Sequence, residues 1–168
     1  MKTVNEIKLS FPSKSQNEAF ARAAVSAFIA PLDPTVGELS DLKTAVSEAV
    51  TNCVVHGYRR QSGMITINGK ITEDRRVIIR IRDKGVGIED VKQAMEPLFT
   101  TGGEERSGLG FSVMESFTDR LRVRSAEGKG TTVTVALPDK RHLTGVLREP
   151  AFDYAGGFQP VLMEMSDA

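Results

Sequence analysis

The sequence predicts an α/β fold, a two-layer sandwich with helices on one face of a mixed, mostly antiparallel sheet. Three observations predict it. Several short runs alternate apolar and polar residues, the period of half-buried strands. Two segments, after Ser15 and after Thr35, carry helix-opening signatures and helical apolar spacing. The order of these pieces, β-α-α-β-β-α-α-β-β, is that of helices packed on one side of a sheet.

The elements follow in order. Residues 4–11 read as a strand with Ile7, Leu9 and Phe11 on one face. Ser15 with Glu18 is a capping-box pair, and Phe20, Ala24, Phe28 and Ile29 form the predicted buried stripe of the first helix. Pro31, Asp33 and Pro34 stop it. Thr35 with Glu38 opens a second, long helix that runs to Gly57 or Tyr58. MITINGKI turns Ile65, Ile67 and Ile71 inward, and RRVIIRIRD turns Val77, Ile79 and Ile81 inward with Arg80 and Arg82 outward. ITEDRR is the hairpin turn between them. DKGVGIED makes a Gly-rich turn into a short helix near Val91–Met95. PLFTTGGEERSGLG is a loop, FSVMESFTDR a helix, and LRVRS and GTTVTVAL are two more strands joined by AEGKG. One domain, 1–140, is expected, with 141–168 a C-terminal extension.

Composition narrows the function classes. Lys+Arg and Asp+Glu are both 22 in 168 residues, so net charge gives no argument for nucleic acid or an anionic membrane. The arginines flanking the strand residues read as a solvated sheet face. There is no apolar run long enough to span a bilayer and no signal-peptide centre. The single Cys53 lies on an apolar helical line and reads as a buried thiol in a reducing, cytoplasmic compartment.

Four clusters carry candidate chemistry. Glu48, Asn52 and His56 recur at i, i+4 and i+8, a polar ladder beside the apolar line Leu42, Val46, Ala49 and Cys53. A Glu there can take a proton from a nucleophile, and an Asn oxygen suits Mg²⁺. For His56 a structural role is favoured. Asp83 has the inward parity of Ile79 and Ile81, so it needs a polar partner; a base amino group is one. Gly85 and Gly87 allow a tight turn against a flat ligand, though ordinary turn chemistry explains the string equally well. Ser107, Gly108, Leu109 and Gly110 open a helix whose backbone amides can meet phosphate. Thr100, Thr101, Gly102 and Gly103 precede them as a candidate lid, and Arg106 stands where a cation could reach a terminal phosphate or simply face solvent. Gly130, Thr131 and Thr132 open the last strand; hydroxyls there could support Asp83 or a bound ligand, Thr131 being the candidate, though β-propensity alone accounts for both threonines.

In this order, ExxxNxxxH on a helix, DxGxG after a strand, a Gly-rich lid and GTT before a last strand resemble the GHKL, or Bergerat-fold, ATP-binding superfamily. The strings SQNEAFAR, LDPT, VSEAVTN, HGY, PLFTT and RSGLGF are similar to the sporulation anti-sigma F family of serine kinases, over roughly Ile7 to Leu137. The resemblance implies ATP/ADP and Mg²⁺ as cofactors. It implies Glu48 as general base, Asn52 as metal ligand, and Asp83 as the adenine-reading carboxylate in a pocket shaped by Gly85 and Gly87. Thr100 to Gly110 would be the lid, and Arg22 the partner-docking arginine. It further implies a homodimer that captures the sporulation sigma factor when ATP is bound and phosphorylates a serine of an anti-anti-sigma protein, with no direct contact to nucleic acid. A stress-response anti-sigma kinase and a detached histidine-kinase ATPase domain are the alternatives.

Overall fold

The computed structural model describes residues 2–96 and 109–137. Five strands, β1 (Thr3–Pro12), β2 (Met64–Thr72), β3 (Val77–Arg82), β4 (Arg120–Ala126) and β5 (Gly130–Leu137), form one sheet in the order β1-β2-β3-β5-β4. Helices α1 (Asn17–Ile29), α2 (Val36–Asn52), α3 (Val91–Met95) and α4 (Gly110–Phe117) complete the α/β sandwich.

Each strand pairing is antiparallel, so the expected mixed sheet is antiparallel among the described residues. The reason lies in the connection after β3. A crossover through α3 and α4 brings the chain back as β4, running parallel to β3 but one strand position away. The β4–β5 hairpin then lays β5 into the gap, antiparallel to both neighbours.

Alternation sorts the strands as expected. Ile65, Ile67, Ile71, Val77, Ile79 and Ile81 are buried, and Ile7 and Leu9 pack half-buried beside Phe11. Fully burying each such aliphatic side chain contributes about 1.5–3 kcal/mol. α2 lies between α1 and α4 and brings Leu42, Ala45, Val46, Ala49 and Val50 to the core.

The helix starts differ from one another. Thr35 and Glu38 make the full capping box: the Thr35 hydroxyl accepts from Glu38 N, and the Glu38 carboxylate accepts from Thr35 N. Ser15 and Glu18 do not. α1 starts two residues later, at Asn17; Glu18 N donates to the Ser15 carbonyl, while the Glu18 carboxylate is occupied by Arg22 and Ser47. The buried stripe of α1 is Ala21, Val25, Phe28 and Ile29. Phe20 is 51% exposed and meets Phe11 edge-on at 5.7 Å, and Ala24 is only half-buried.

The long helix does not stay α-helical to its end. Residues Cys53–Gly57 form a π-turn, closed by Tyr58 N donating to the Cys53 carbonyl at 2.8 Å. This wider turn moves His56 out of the α spacing that places Glu48 and Asn52 on one line.

Candidate active site

The site grows from the C-terminal half of α2. Its apolar line, Leu42, Val46, Ala49 and Cys53, is buried, which fixes the adjacent line of Glu48 and Asn52 at the half-buried margin. That margin faces the start of α4. A methyl group on Gly110 would stand 3.1 Å from Glu48 Oε2 and 3.4 Å from both terminal atoms of the Asn52 amide. A carboxylate and an amide thus flank one point where the chain presents only a hydrogen. Two oxygen donors about a helical turn apart fit the needs of a hard cation shared with phosphate.

Asp83 follows β3 and is 2% exposed. Its Oδ1 accepts from Gly85 N at 2.9 Å and from Thr131 N at 3.2 Å, and Asp83 N donates to Thr131 O at 3.0 Å. The Cys53 thiol hydrogen-bonds the same carboxylate. Burial, then the charge of Asp83 and that hydrogen bond, push the thiol well above its ordinary pKa, so it stays neutral. Cys53 follows Asn52 in the chain, so the ladder and Asp83 share the end of one helix.

The turn after Asp83 is clamped on both sides. Val86 N donates to Gly57 O at 2.9 Å, and a Cβ on Gly85 would lie 2.0 Å from that same oxygen. Gly87 has φ +75°, and a Cβ there would lie 2.0 Å from Ala126 O. The β4–β5 hairpin adds Gly128 N to Val86 O at 2.6 Å. The Ser125 hydroxyl accepts from Ile88 N, donates to Gly130 O and meets the Thr131 hydroxyl at 2.8 Å. Tyr58 ties the outer side: its hydroxyl donates to Met64 O and accepts from Lys84 N.

A histidine kinase-like ATPase domain model matches residues 11–137. The anti-sigma F factor of Clostridium beijerinckii is 56% identical over 133 residues, covering 78% of this chain and 92% of that protein. The chain belongs to the anti-sigma F factor family. Caldanaerobacter subterraneus subsp. tengcongensis supplies another relative of that name, 57% identical over 130 residues, 77% of this chain and 90% of its own. The fold also matches the solved RsbU and RsbW domains of a Mycobacterium tuberculosis protein, with TM-score 0.58 and 18% identity over 80% of this chain and 32% of that one. A blue-light activated histidine kinase of Erythrobacter litoralis aligns with TM-score 0.53 and 24% identity over 67% of this chain and 34% of that one. The chain thus spans about a third of each solved protein, and those likenesses speak for the fold.

Within this anti-sigma F family chain, Glu48, Asn52 and Gly110, which Leu109 precedes, meet at the α2–α4 contact, and Asp83, Gly85, Gly87 and Thr131 gather just beyond them, where the same helix ends in its π-turn. Thr100, Thr101, Arg106, Ser107 and Gly108 lie outside the described residues. Arg22 is apart from both groups, on α1, with Nε 2.8 Å from Glu18 Oε1. Ser125 escapes a reading by motif, and Gly57 and Tyr58 enter it only inside the string HGY, with no role assigned. Ser125 shares the inward parity of Leu121 and Val123, the same signal that marks Asp83.

Proposed function

We propose that the chain is an ATP-dependent serine kinase and anti-sigma factor. In its ATP-bound state it holds the sporulation sigma-F factor, and it phosphorylates a serine of the anti-anti-sigma protein. The observation that carries this is the convergence of Glu48 and Asn52 on Gly110, beside the helix end that meets the buried Asp83 carboxylate.

In this reading Asp83 accepts from the adenine amino group, with Gly85 and Gly87 keeping the floor thin enough for a flat base. Thr131 and Ser125 hold that carboxylate and its turn. Asn52 would ligate Mg²⁺, which neutralises phosphate charge when bound. Glu48, about 6 Å along the helix axis from Asn52, takes the proton of the attacking serine hydroxyl. The serine oxygen forms a bond to the γ-phosphorus as the bond to the departing ADP oxygen breaks. Residues Thr100 to Gly110, with Arg106, close over the phosphates. Arg22 docks the partner proteins, a homodimer forms through the β1 region, and the kinase domain ends near residue 140.

The test is capture of sporulation sigma factor by the immobilised protein, with and without Mg·ATP, alongside transfer of labelled γ-phosphate to the anti-anti-sigma serine. ATP-dependent capture and labelling are expected. Capture that ignores nucleotide, with no labelling, removes the proposal.

A further inference from the structure

The sheet has a second face, away from the helices, and its charge is one-sided. Lys8 on β1, Arg80 and Arg82 on β3, and Arg120, Arg122 and Arg124 on β4 are all exposed and alternate with inward residues. Register sets the arginines in rows: Arg80 faces Thr134, which faces Arg122, and Arg82 faces Thr132, which faces Arg124. None of the six makes an ion pair among the described residues; the carboxylate on this face, Glu6, is taken by Lys70 at 3.5 Å. A groove whose lining includes Lys8, Met64, Thr66, Asn68, Arg82 and Lys84 continues the positive surface. A chain of net charge zero therefore concentrates unpaired cations on one side.

Against the sequence expectation of a solvated sheet face and no direct nucleic-acid contact, we infer that this face docks nucleic acid through its phosphate backbone, independent of sequence and in duplex form. Protein–protein interfaces carry arginine beside aromatic anchors; these strands present rows of arginine and threonine with no aromatic ring among them. Nucleic-acid interfaces are more polar and much more positive. Arginine forks and threonine hydroxyls both serve phosphate oxygens. Stacking unpaired bases needs exposed aromatic rings. The nearest ring, Tyr58, packs against Gly63 at the groove's end with its hydroxyl already bonded. From β1 to β4 the cations span four strand spacings, about 19 Å, wide enough for both backbones of a duplex. A bilayer would want several apolar side chains to insert beside the charge, and the groove offers one that is exposed, Met64.

The test is fluorescence anisotropy of the full chain with a duplex of about 20 base pairs of arbitrary sequence, at about 50 and about 200 mM KCl. About five phosphate contacts would weaken binding several hundredfold between the two salts, a log–log slope near −4.5. Arg80→Ala, Arg122→Ala and Arg124→Ala combined should bring the slope near −2 and leave ATP affinity and melting temperature unchanged. No binding at the lower salt, or an unchanged slope in the triple variant, overturns the inference. So does tighter binding, at equal charge concentration, of a single strand, phosphatidylserine vesicles or poly-glutamate. A peptide of residues 149–168, which has four carboxylates and no Lys or Arg, would overturn it in the same way and assign the face to the chain itself.

Discussion

The two ends of the candidate site are built by different means. At the Glu48–Asn52 end, side chains project from a regular helix toward Gly110, and the backbone beneath them is ordinary α-helix. At the Asp83 end, the backbone itself is the site: a π-turn, a Gly-rich turn and a hairpin approach so closely that glycines are required between them. Substitutions at the first end change side chains and leave the helix backbone in place. At the second end, binding and folding use the same contacts, so each perturbation should register in both.

The largest expected effect tests the first half of that contrast. Glu48→Gln should slow phosphate transfer about 10²–10⁴-fold, the usual worth of a positioned base, with nucleotide affinity and denaturant midpoint little changed. A normal labelling rate in this variant would end Glu48's role as base. Gly85→Ala tests the second half. Its methyl meets a backbone oxygen that is itself bonded to Val86 N, so relief requires moving the π-turn. About 3 kcal/mol of stability should be lost, together with nucleotide binding; retention of both would show that the two turns are not locked.

Asp83→Asn should weaken adenine nucleotide binding by about one to two orders of magnitude, as a charged hydrogen bond of about 1.5–3 kcal/mol is replaced. Unlike Glu48→Gln it should also lower the melting temperature, since Thr131, Gly85 and Cys53 lose their charged partner. Isothermal calorimetry and a melting curve separate the two readouts.

The smallest effect is one of pH. In the unfolded chain Cys53 ionises above about pH 8.5, whereas in the fold it holds its proton. The folded state then binds more protons than the unfolded, so stability is complete below that pH. It falls as pH rises toward the folded value, by at most about 1.4 kcal/mol per unit. Cys53→Ala should remove this alkaline slope in urea titrations at about pH 8 and 10. An identical slope in the variant would place the titration elsewhere.

The same contrast explains what the sequence made legible. Side-chain periodicity exposes the first end: the apolar line and the Glu48–Asn52 line are written at helical spacing, and both are where that spacing puts them. Strand parity exposes Asp83, whose burial follows from Ile79 and Ile81. The backbone features at the second end have no such code. CVVHG continues an α pattern, and only the docking of Gly57 O onto Val86 N shows why the helix widens there. The Ser15–Glu18 box fails for a related reason. Its glutamate has stronger partners in Arg22 and Ser47, which lie on a helical neighbour and a second helix that a local motif does not count. The antiparallel sheet likewise depends on where β5 inserts, a long-range choice invisible in any one strand.

The late insertion of β5 also orders events during synthesis. Asp83 leaves the ribosome 48 residues before Thr131, the residue whose amide fastens it. Until β5 emerges and slides between β3 and β4, the nascent polypeptide holds an unsecured acid beside two sheet edges. Assembly of the turn around Asp83 therefore waits for β5 to leave the ribosome. Any chain cut short before Gly130 should be cleared as unfolded protein rather than survive as a weaker enzyme.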